Sequence, residues 1–348
     1  MQPVRVALLS FGMSGRVFHA PFIDLNPGFQ LLGSWERSKR IIQEHYPRVK
    51  SYPSLESVLE DRLVDLVIVN TPTSTHYEYA RKALEAGKHV VVEKAFTTTV
   101  AEAVELKTLA ERNKLKLSVF QNRRWDSDFK TVRQVVESGN LGNLVEVDFS
   151  YDRYNPLLSP KVHKETPGPG SGILKDLGPH LIDQALVLFG LPTSIFATIK
   201  TTRALSKVDD YFEIMLFYRT LRVRLKASYF VREPVPSFVL HGTNGSFLKA
   251  RADVQEVDLQ KGEKPDRLNW GVEPDQAHGL LHTTVDGKTV RETVKSLPGN
   301  YSDYYVGIYQ SIEQNLEPPV TAEEGIRVMQ IIEAAEKSKR EKRVVELG

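Results

Sequence analysis

Two patterns alternate over roughly the first 120 residues, and that alternation limits the fold more than any other feature of the chain. Short β-branched runs stand at 4–9, 29–35, 65–70, 89–93 and 116–120, and helix-like stretches fall between them at 15–25, 38–45, 55–60, 74–86 and 100–113. The runs are apolar at successive positions, so both faces of each strand need cover. A parallel sheet with helices on both sides provides it. Each crossover between neighbouring strands is then right-handed. Gly87 after Ala86 is a fitting helix stop before the strand at 89–93.

The pattern changes after about residue 122. A helix is expected at 127–138, ending near Gly139, then a strand at 144–151 and a Pro- and Gly-rich loop at 155–172. A helix at 173–189 follows, closed by Gly190 and Pro192. Alternating runs at 195–201, 211–218, 221–229, 238–241 and 246–250 predict consecutive strands joined by short turns, hence a mostly antiparallel sheet in an α+β domain. Residues 261–277 read as a long loop, and a last helix at 322–337 is expected to pack back on the body. A single core rarely keeps growing to 348 residues, so two domains are expected, 1–121 and 122–348.

Composition narrows the function classes. The formal net charge is +2 with an ordinary 26% charged residues, which gives no electrostatic case for nucleic acid or an anionic membrane surface. With no cysteine, disulfides, thiolate metal sites and cysteine nucleophiles are excluded. The first residues read as a strand and not as a secretory leader, and no apolar run approaches the ~20 residues of a membrane span. A cytoplasmic enzyme is the expected class.

The first strand runs into Ser10-Phe11-Gly12-Met13-Ser14-Gly15. A dinucleotide turn of the form G-x-G-x-x-G would carry glycine where Ser10 stands. Gly12 and Gly15 match the glycines that admit pyrophosphate and let the helix pack on the strand. The helix after the turn offers free amides and a partial positive charge to phosphate. Glu36 ends the second strand 21 residues past Gly15, where such folds place an acid on the ribose hydroxyls. This context points to a Rossmann domain holding NAD or NADP. Glu36 favours NAD, whereas Arg37 and Ser38 suit a 2′-phosphate, and the two cues leave the choice open. Further ligand segments are expected at strand C-terminal ends: Thr71, Pro72, Thr73 and His76 in one, Glu93 and Lys94 in the other.

On the helix at 173–189, Asp176 and His180 are four residues apart and share a face, with Asp183 near it. Pro179 removes one helical hydrogen bond there and is expected to kink the helix. Oxidation of an alcohol needs a base for the hydroxyl proton, a role that suits His180, while Lys94 can share the relay or stabilise developing alkoxide charge. A structural polar pair is the plainer account of Asp176 and His180. A metal on Asp176, His180 and Asp183 lacks a further ligand, so no metal site is assigned. Asn122, Arg123 and Trp125, at the hand-over between the halves, suit a hydroxylated ligand or a salt-bridged hinge, and Tyr154 is a weaker member of the same set.

At these residues the chain resembles the glucose–fructose oxidoreductase/inositol dehydrogenase/MocA (Gfo/Idh/MocA) family. The likeness is carried by residues 12–21, 71–76, 87–94 and 176–180 and covers nearly the whole chain. Within the family it is most similar to the NADP-dependent scyllo-inositol dehydrogenase branch, through residues 122–126, 152–154, 176–180 and 241–243. The resemblance implies an open-faced second domain whose sheet forms homodimer or homotetramer contacts. It implies catalytic roles for Lys94, Asp176 and His180, and a cyclic polyol or sugar as substrate, bound also through His180. Ser10 and Ala95 depart from the family pattern, which has glycine and proline there. Two other activities fit the same fold: a cofactor-bound sensor without turnover, and a glycoside-cleaving enzyme that oxidises its sugar transiently.

Overall fold

A computed structural model describes residues 2–37, 40–160 and 162–348. The chain divides into two compact units, one made of residues 1–122, 255–270 and 300–326, the other of 123–254, 271–299 and 327–348. The first division falls where the sequence pattern changes. The expectation of a continuous second domain from 122 to 348 is corrected, because two later segments belong with the first unit.

The first unit holds strands β1 Val4–Leu8, β2 Phe29–Trp35, β3 Lys50–Tyr52, β4 Leu66–Val69, β5 His89–Glu93 and β6 Leu117–Phe120. They form one sheet in the order β3-β2-β1-β4-β5-β6, every neighbouring pair parallel. β4 and β6 are buried along their whole length, as strands covered on both faces must be. The winding reverses between β1 and β4, so the crevice for a ligand opens at the C-terminal ends of these strands.

Local chemistry sets the helices. Thr99 accepts from the Glu102 amide and Glu102 reaches back to the Thr99 amide, a capping box that starts Val100–Arg112. Helix His76–Glu85 stops at Gly87, whose φ is +75°. Gly87 N–H bonds Leu84 O and Lys88 N–H bonds Ala83 O, the paired bonds of a left-handed helix end. Past β1 the chain is helical from residue 13 to 25, with a π-turn over Gly15–His19 before Ala20–Leu25. Pro21 has no amide hydrogen and crowds the preceding turn, and the wider coil just before it, with Ala20 N–H on Gly15 O, accommodates this.

Several elements have no counterpart in the sequence reading, two helices among them. Helix Ser302–Glu313 buries Tyr304, Tyr305 and Ile308, which with Tyr301 follow helical spacing. Its rings meet those of the first unit: Tyr305 stacks on Phe22 at 5.9 Å and Tyr304 meets Phe120 edge-on at 4.9 Å. This burial is why residues 300–326 return to the first unit. The loop expected at 261–277 is preceded by a helix, Val254–Gln260.

The second unit holds β7 Leu144–Ser150, β8 Ser194–Lys200, β9 Tyr211–Phe217, β10 Arg222–Ser228, β11 Phe238–Gly242, β12 Gly245–Lys249, β13 Gly279–Val285, β14 Lys288–Val294 and β15 Val345–Glu346. The sheet order is β14-β13-β12-β11-β7-β10-β9-β8-β15, antiparallel except for the β7–β10 pair. Helix Ile173–Phe189 packs on β9 and β10. Val147, Phe149, Phe212, Ile214, Leu216, Val223 and Leu225 are buried, while Glu146, Arg222 and Arg224, alternating with them, are exposed. The hairpin β13–β14 was also unread. It turns on Asp286 and Gly287, both at positive φ, the backbone that Asp-Gly adopts most readily. The last helix, Ala322–Glu341, sends Ser338 Oγ to the Ala197 amide, and β15 pairs with β8. Among the described residues, no helix is long and apolar enough to cross a membrane.

The edge strand β3 is held by Asp61, which accepts from Lys50 Nζ at 2.8 Å, Tyr52 OH at 2.8 Å and the Leu63 amide at 2.9 Å. The Lys50 bond leads in lowering the Asp61 carboxyl to about 2, against the opposing effect of burial. A lowered carboxyl stabilises the fold above its unfolded value, and the contribution is lost as pH falls towards the folded one. Asp61→Asn is therefore expected to cost about 1 kcal/mol at neutral pH. In urea unfolding the deficit should shrink below pH 4 and vanish near pH 2; a deficit independent of pH would contradict this role.

Candidate active site

In the first unit the site is built at the tips of β1, β4 and β5. Ser10 Oγ accepts from the Gly12 amide at 3.2 Å, and Asn70 Nδ2 donates to Ser10 O at 2.8 Å. A serine at the first turn position is thus tied into the turn by its own hydroxyl. Gly15 packs so closely that a Cβ there would run into the Ser10 carbonyl and come within 2.9 Å of Asn70 Nδ2. The first bond of the helix is Arg16 N–H to Gly12 O at 3.0 Å, so the amides of Met13, Ser14 and Gly15 precede any intrahelical acceptor. Met13 is 43% exposed and Gly12 is exposed beside it. Asn70 Oδ1 is buried with no hydrogen-bond partner among the described residues. Donors facing outward, a buried orphan acceptor and a glycine-lined turn fit a dinucleotide, with Gly12, Met13, Ser14 and Gly15 at its pyrophosphate.

At the tip of β5, the Glu93 carboxylate gathers several donors. Ser14 Oγ donates to Oε1, His19 Nε2 lies 3.1 Å from the same oxygen, and the Lys94 amide reaches Oε2 at 3.2 Å. Burial pushes the Glu93 carboxyl up, but the His19 bond and charge, the Ser14 hydroxyl and the Lys94 charge together hold it below its usual range. Lys94 is half-buried and its peptide to Ala95 is cis.

His76 takes a different part from the one expected of a cofactor contact. Its ring is buried, with Nδ1 2.8 Å from Ala95 O and Nε2 2.8 Å from Thr71 O. Burial outweighs these carbonyls and the Glu93 charge and holds His76 below its ordinary value, so a neutral ring donates to one of them. His76 therefore sits between the tip of β4 and the peptide beside Lys94, bonded to one carbonyl and packed against the other. Of its neighbours, Pro72 is exposed, Thr73 half-buried, and Thr71 Oγ1 bonds Thr75 Oγ1 at 2.7 Å.

Glu36 is also turned inward. Oε2 accepts from the Ile41 amide and Oε1 from the Ile42 amide, each at 3.1 Å, at the start of helix Ile42–His45. Arg37 and Arg40 are exposed. Ser38 lies outside the described residues.

In the second unit, helix Ile173–Phe189 runs through Pro179 without a break and carries Asp176 and His180 one turn apart. His180 is buried, and Asp176 is half-buried with Lys164 Nζ at 3.0 Å from its Oδ2. Asp183 is held by both arms of Arg124, Nε at 2.8 Å and Nη2 at 2.6 Å, a structural anchor for the helix. Arg123 is buried with its guanidinium on Asp126 and Asp253, and Gln184 Nε2 donates to Arg123 O at 3.2 Å. Trp125 is half-buried, and Asn122, in the first unit, is buried. Tyr154 is exposed, its hydroxyl taking Arg232 Nη2 at 2.6 Å. Asn70, His19 and Tyr305 went unread as site residues. Asn70 directly follows a buried strand, but nothing in sequence marks the distant Tyr305 as a partner of His19.

Comparison with known proteins gives the family. The model of the Gfo/Idh/MocA oxidoreductase family for the NAD-binding Rossmann fold matches residues 4–121, and that for the C-terminal alpha/beta domain matches residues 133–347. A scyllo-inositol 2-dehydrogenase (NADP(+)) of Bacillus subtilis is 38% identical over 344 residues, 99% of this chain and 96% of that protein. A Bacteroides fragilis protein of known structure superposes with a TM-score of 0.91 at 45% identity, covering 99% of this chain and 100% of its own. The Bacillus subtilis protein YvaA gives 0.95 at 37% identity, covering 100% and 99%.

Filling the space at Gly15 tests the turn. Gly15→Ala is expected to cost about 1–3 kcal/mol in denaturant unfolding, because the Ser10 backbone and Asn70 must shift. An unchanged midpoint would show that the close approach carries no energy.

Proposed function

The chain belongs to the Gfo/Idh/MocA oxidoreductase family, and on that premise we propose that it is a cytoplasmic, NADP-preferring dehydrogenase acting on a secondary ring alcohol of an inositol-like polyol or sugar. The observation that carries the cofactor preference is the inward turn of Glu36. An acid that reads the ribose of NAD has to turn its carboxylate to the ribose hydroxyls, and a carboxylate fixed on its own chain's amides resists that turn although each oxygen keeps a second acceptor site. Both oxygens of Glu36 accept backbone amides of its own chain. The exposed Arg37, with Arg40 close in sequence, then offers a charged fork to a 2′-phosphate. The relative from Bacillus subtilis named above carries NADP(+) in its name.

When bound, the nicotinamide accepts or returns a hydride. His180 takes the hydroxyl proton, Asp176 on the same helix face orients and balances it, and Lys94 offers its ammonium to the alkoxide oxygen. Asn122 and Trp125 are proposed substrate contacts. Arg123 is held by Asp126 and Asp253, and the exposed Tyr154, bonded by Arg232, is a further proposed contact. The exposed face of the β8–β10 part of the second sheet, bearing Phe196, Arg222 and Arg224, is the proposed surface for a homodimer or homotetramer.

The test is a screen of inositols and aldoses with NADP and NAD, read at the reduced-nicotinamide absorbance. NADP should be preferred in kcat/KM by at least about tenfold, and Arg37→Ala should remove that preference. An equal or better rate with NAD in the unaltered protein would overturn it. Net cofactor reduction also separates a dehydrogenase from a sensor and from transient redox cleavage. Lys94→Ala and His180→Ala should each lower kcat more than about a hundredfold with cofactor affinity largely kept. Full turnover in either would remove its catalytic role.

A further inference from the structure

We infer that Glu93 is a positioning residue that couples the dinucleotide turn to Lys94, and that buried His19 and Tyr305 hold it in place. Glu93 touches both sides of the coupling: Ser14 of the turn gives its hydroxyl to Oε1, and the Lys94 amide binds Oε2. A carboxylate beside a pyrophosphate turn repels the ligand unless its charge is spent on fixed donors. Here three donors come from two elements: Ser14 and His19 on the helical segment after β1, and the Lys94 amide at the tip of β5.

His19 is fully buried and has no freedom to serve solvent. Its Nε2 meets Glu93, its Nδ1 lies 2.6 Å from Tyr305 OH, and its ring rests on Phe120 at 4.5 Å. Tyr305 in turn donates to Phe18 O at 3.3 Å. Burial raises the Tyr305 phenol well above its ordinary value, so the hydroxyl keeps its proton. The titratable groups around Glu93 are thus His19, Lys94 and, one step out, Tyr305. A chain of four groups runs from a buried phenol to the backbone of Lys94, and the charged member sits where turn and lysine meet. The π-turn over Gly15–His19 carries Ser14 and His19 at its two ends, which brings both onto one carboxylate oxygen.

The inference rests on the reading of Lys94 as catalytic. Its test is a double-mutant cycle with two readouts: the dissociation constant of NADPH by direct fluorescence titration, and kcat. Tyr305→Phe keeps the ring on Phe22 and removes one hydroxyl. Alone it should weaken NADPH binding and lower kcat, each by roughly three- to tenfold. Glu93→Gln should do so by about tenfold or more. In the Glu93→Gln background, Tyr305→Phe should have no further effect, because it acts through the missing charge. If Glu93→Gln does not fold, His19→Gln serves as the background with the same expectation for Tyr305→Phe. Equal effects of Tyr305→Phe in both backgrounds, or none in the unaltered protein, would overturn the coupling. The binding cycle is independent of Lys94 chemistry. Additive binding with an inactive Lys94→Ala overturns the coupling alone, whereas an active Lys94→Ala with non-additive binding overturns the catalytic reading and supports the role of Glu93 at the turn.

Discussion

The missing side chain at Gly15 is the constraint on which the first unit's site depends. It lets the helix after β1 sit against the Ser10 carbonyl and Asn70, and so brings Ser14 and His19 to the tip of β5. Once the turn is that close, polar groups do the rest. Asn70 fastens it to β4, Glu93 fastens it to β5, and the buried His76 ring fills the space between Thr71 O and Ala95 O, donating to one of them. A buried carboxylate is costly without partners, and Glu93 has several, so the arrangement is one that loses much if any member is removed.

The second unit uses ion pairs where the first uses close packing. Arg124 grips Asp183 with two parallel bonds, and Arg123 joins Asp126 to Asp253. Such pairs repay their desolvation poorly as stability but fix geometry well. They set the rotation of helix Ile173–Phe189 about its axis, and with it the face that carries Asp176 and His180. Breaking one partner leaves an uncompensated charge, so these residues matter to the placing of the helix.

Much of this was legible in the sequence because it is local. The strand runs of the first half, the glycine turn, the Gly87 stop and the helix carrying Asp176 and His180 each follow from neighbours a few residues apart. What escaped was non-local or contrary to a local cue. Residues 300–326 rejoin the first unit through aromatic contacts with Phe22, Phe29 and Phe120, which lie far away in the chain. Glu36 stands at the spacing of a ribose-binding acid and also accepts the amides of Ile41 and Ile42, contacts that its spacing does not announce. Of the two readings open for Arg123, the salt-bridged one names no partners in the sequence, and the fold supplies Asp126 and Asp253. The Asp286-Gly287 hairpin is legible from its turn residues alone, since Asp-Gly takes up the positive φ that the turn needs.

The account as a whole stands on direct hydride transfer between a nicotinamide and a ring alcohol. The most direct measurement uses NADPH deuterated at the transferring position of the ring, incubated with the protein and an oxidised inositol, and follows the label by NMR. The account predicts deuterium on the carbinol carbon of the product, with none washed into solvent. Cofactor oxidation without label in the product, or no transfer to any cyclic ketone of the class, would contradict it.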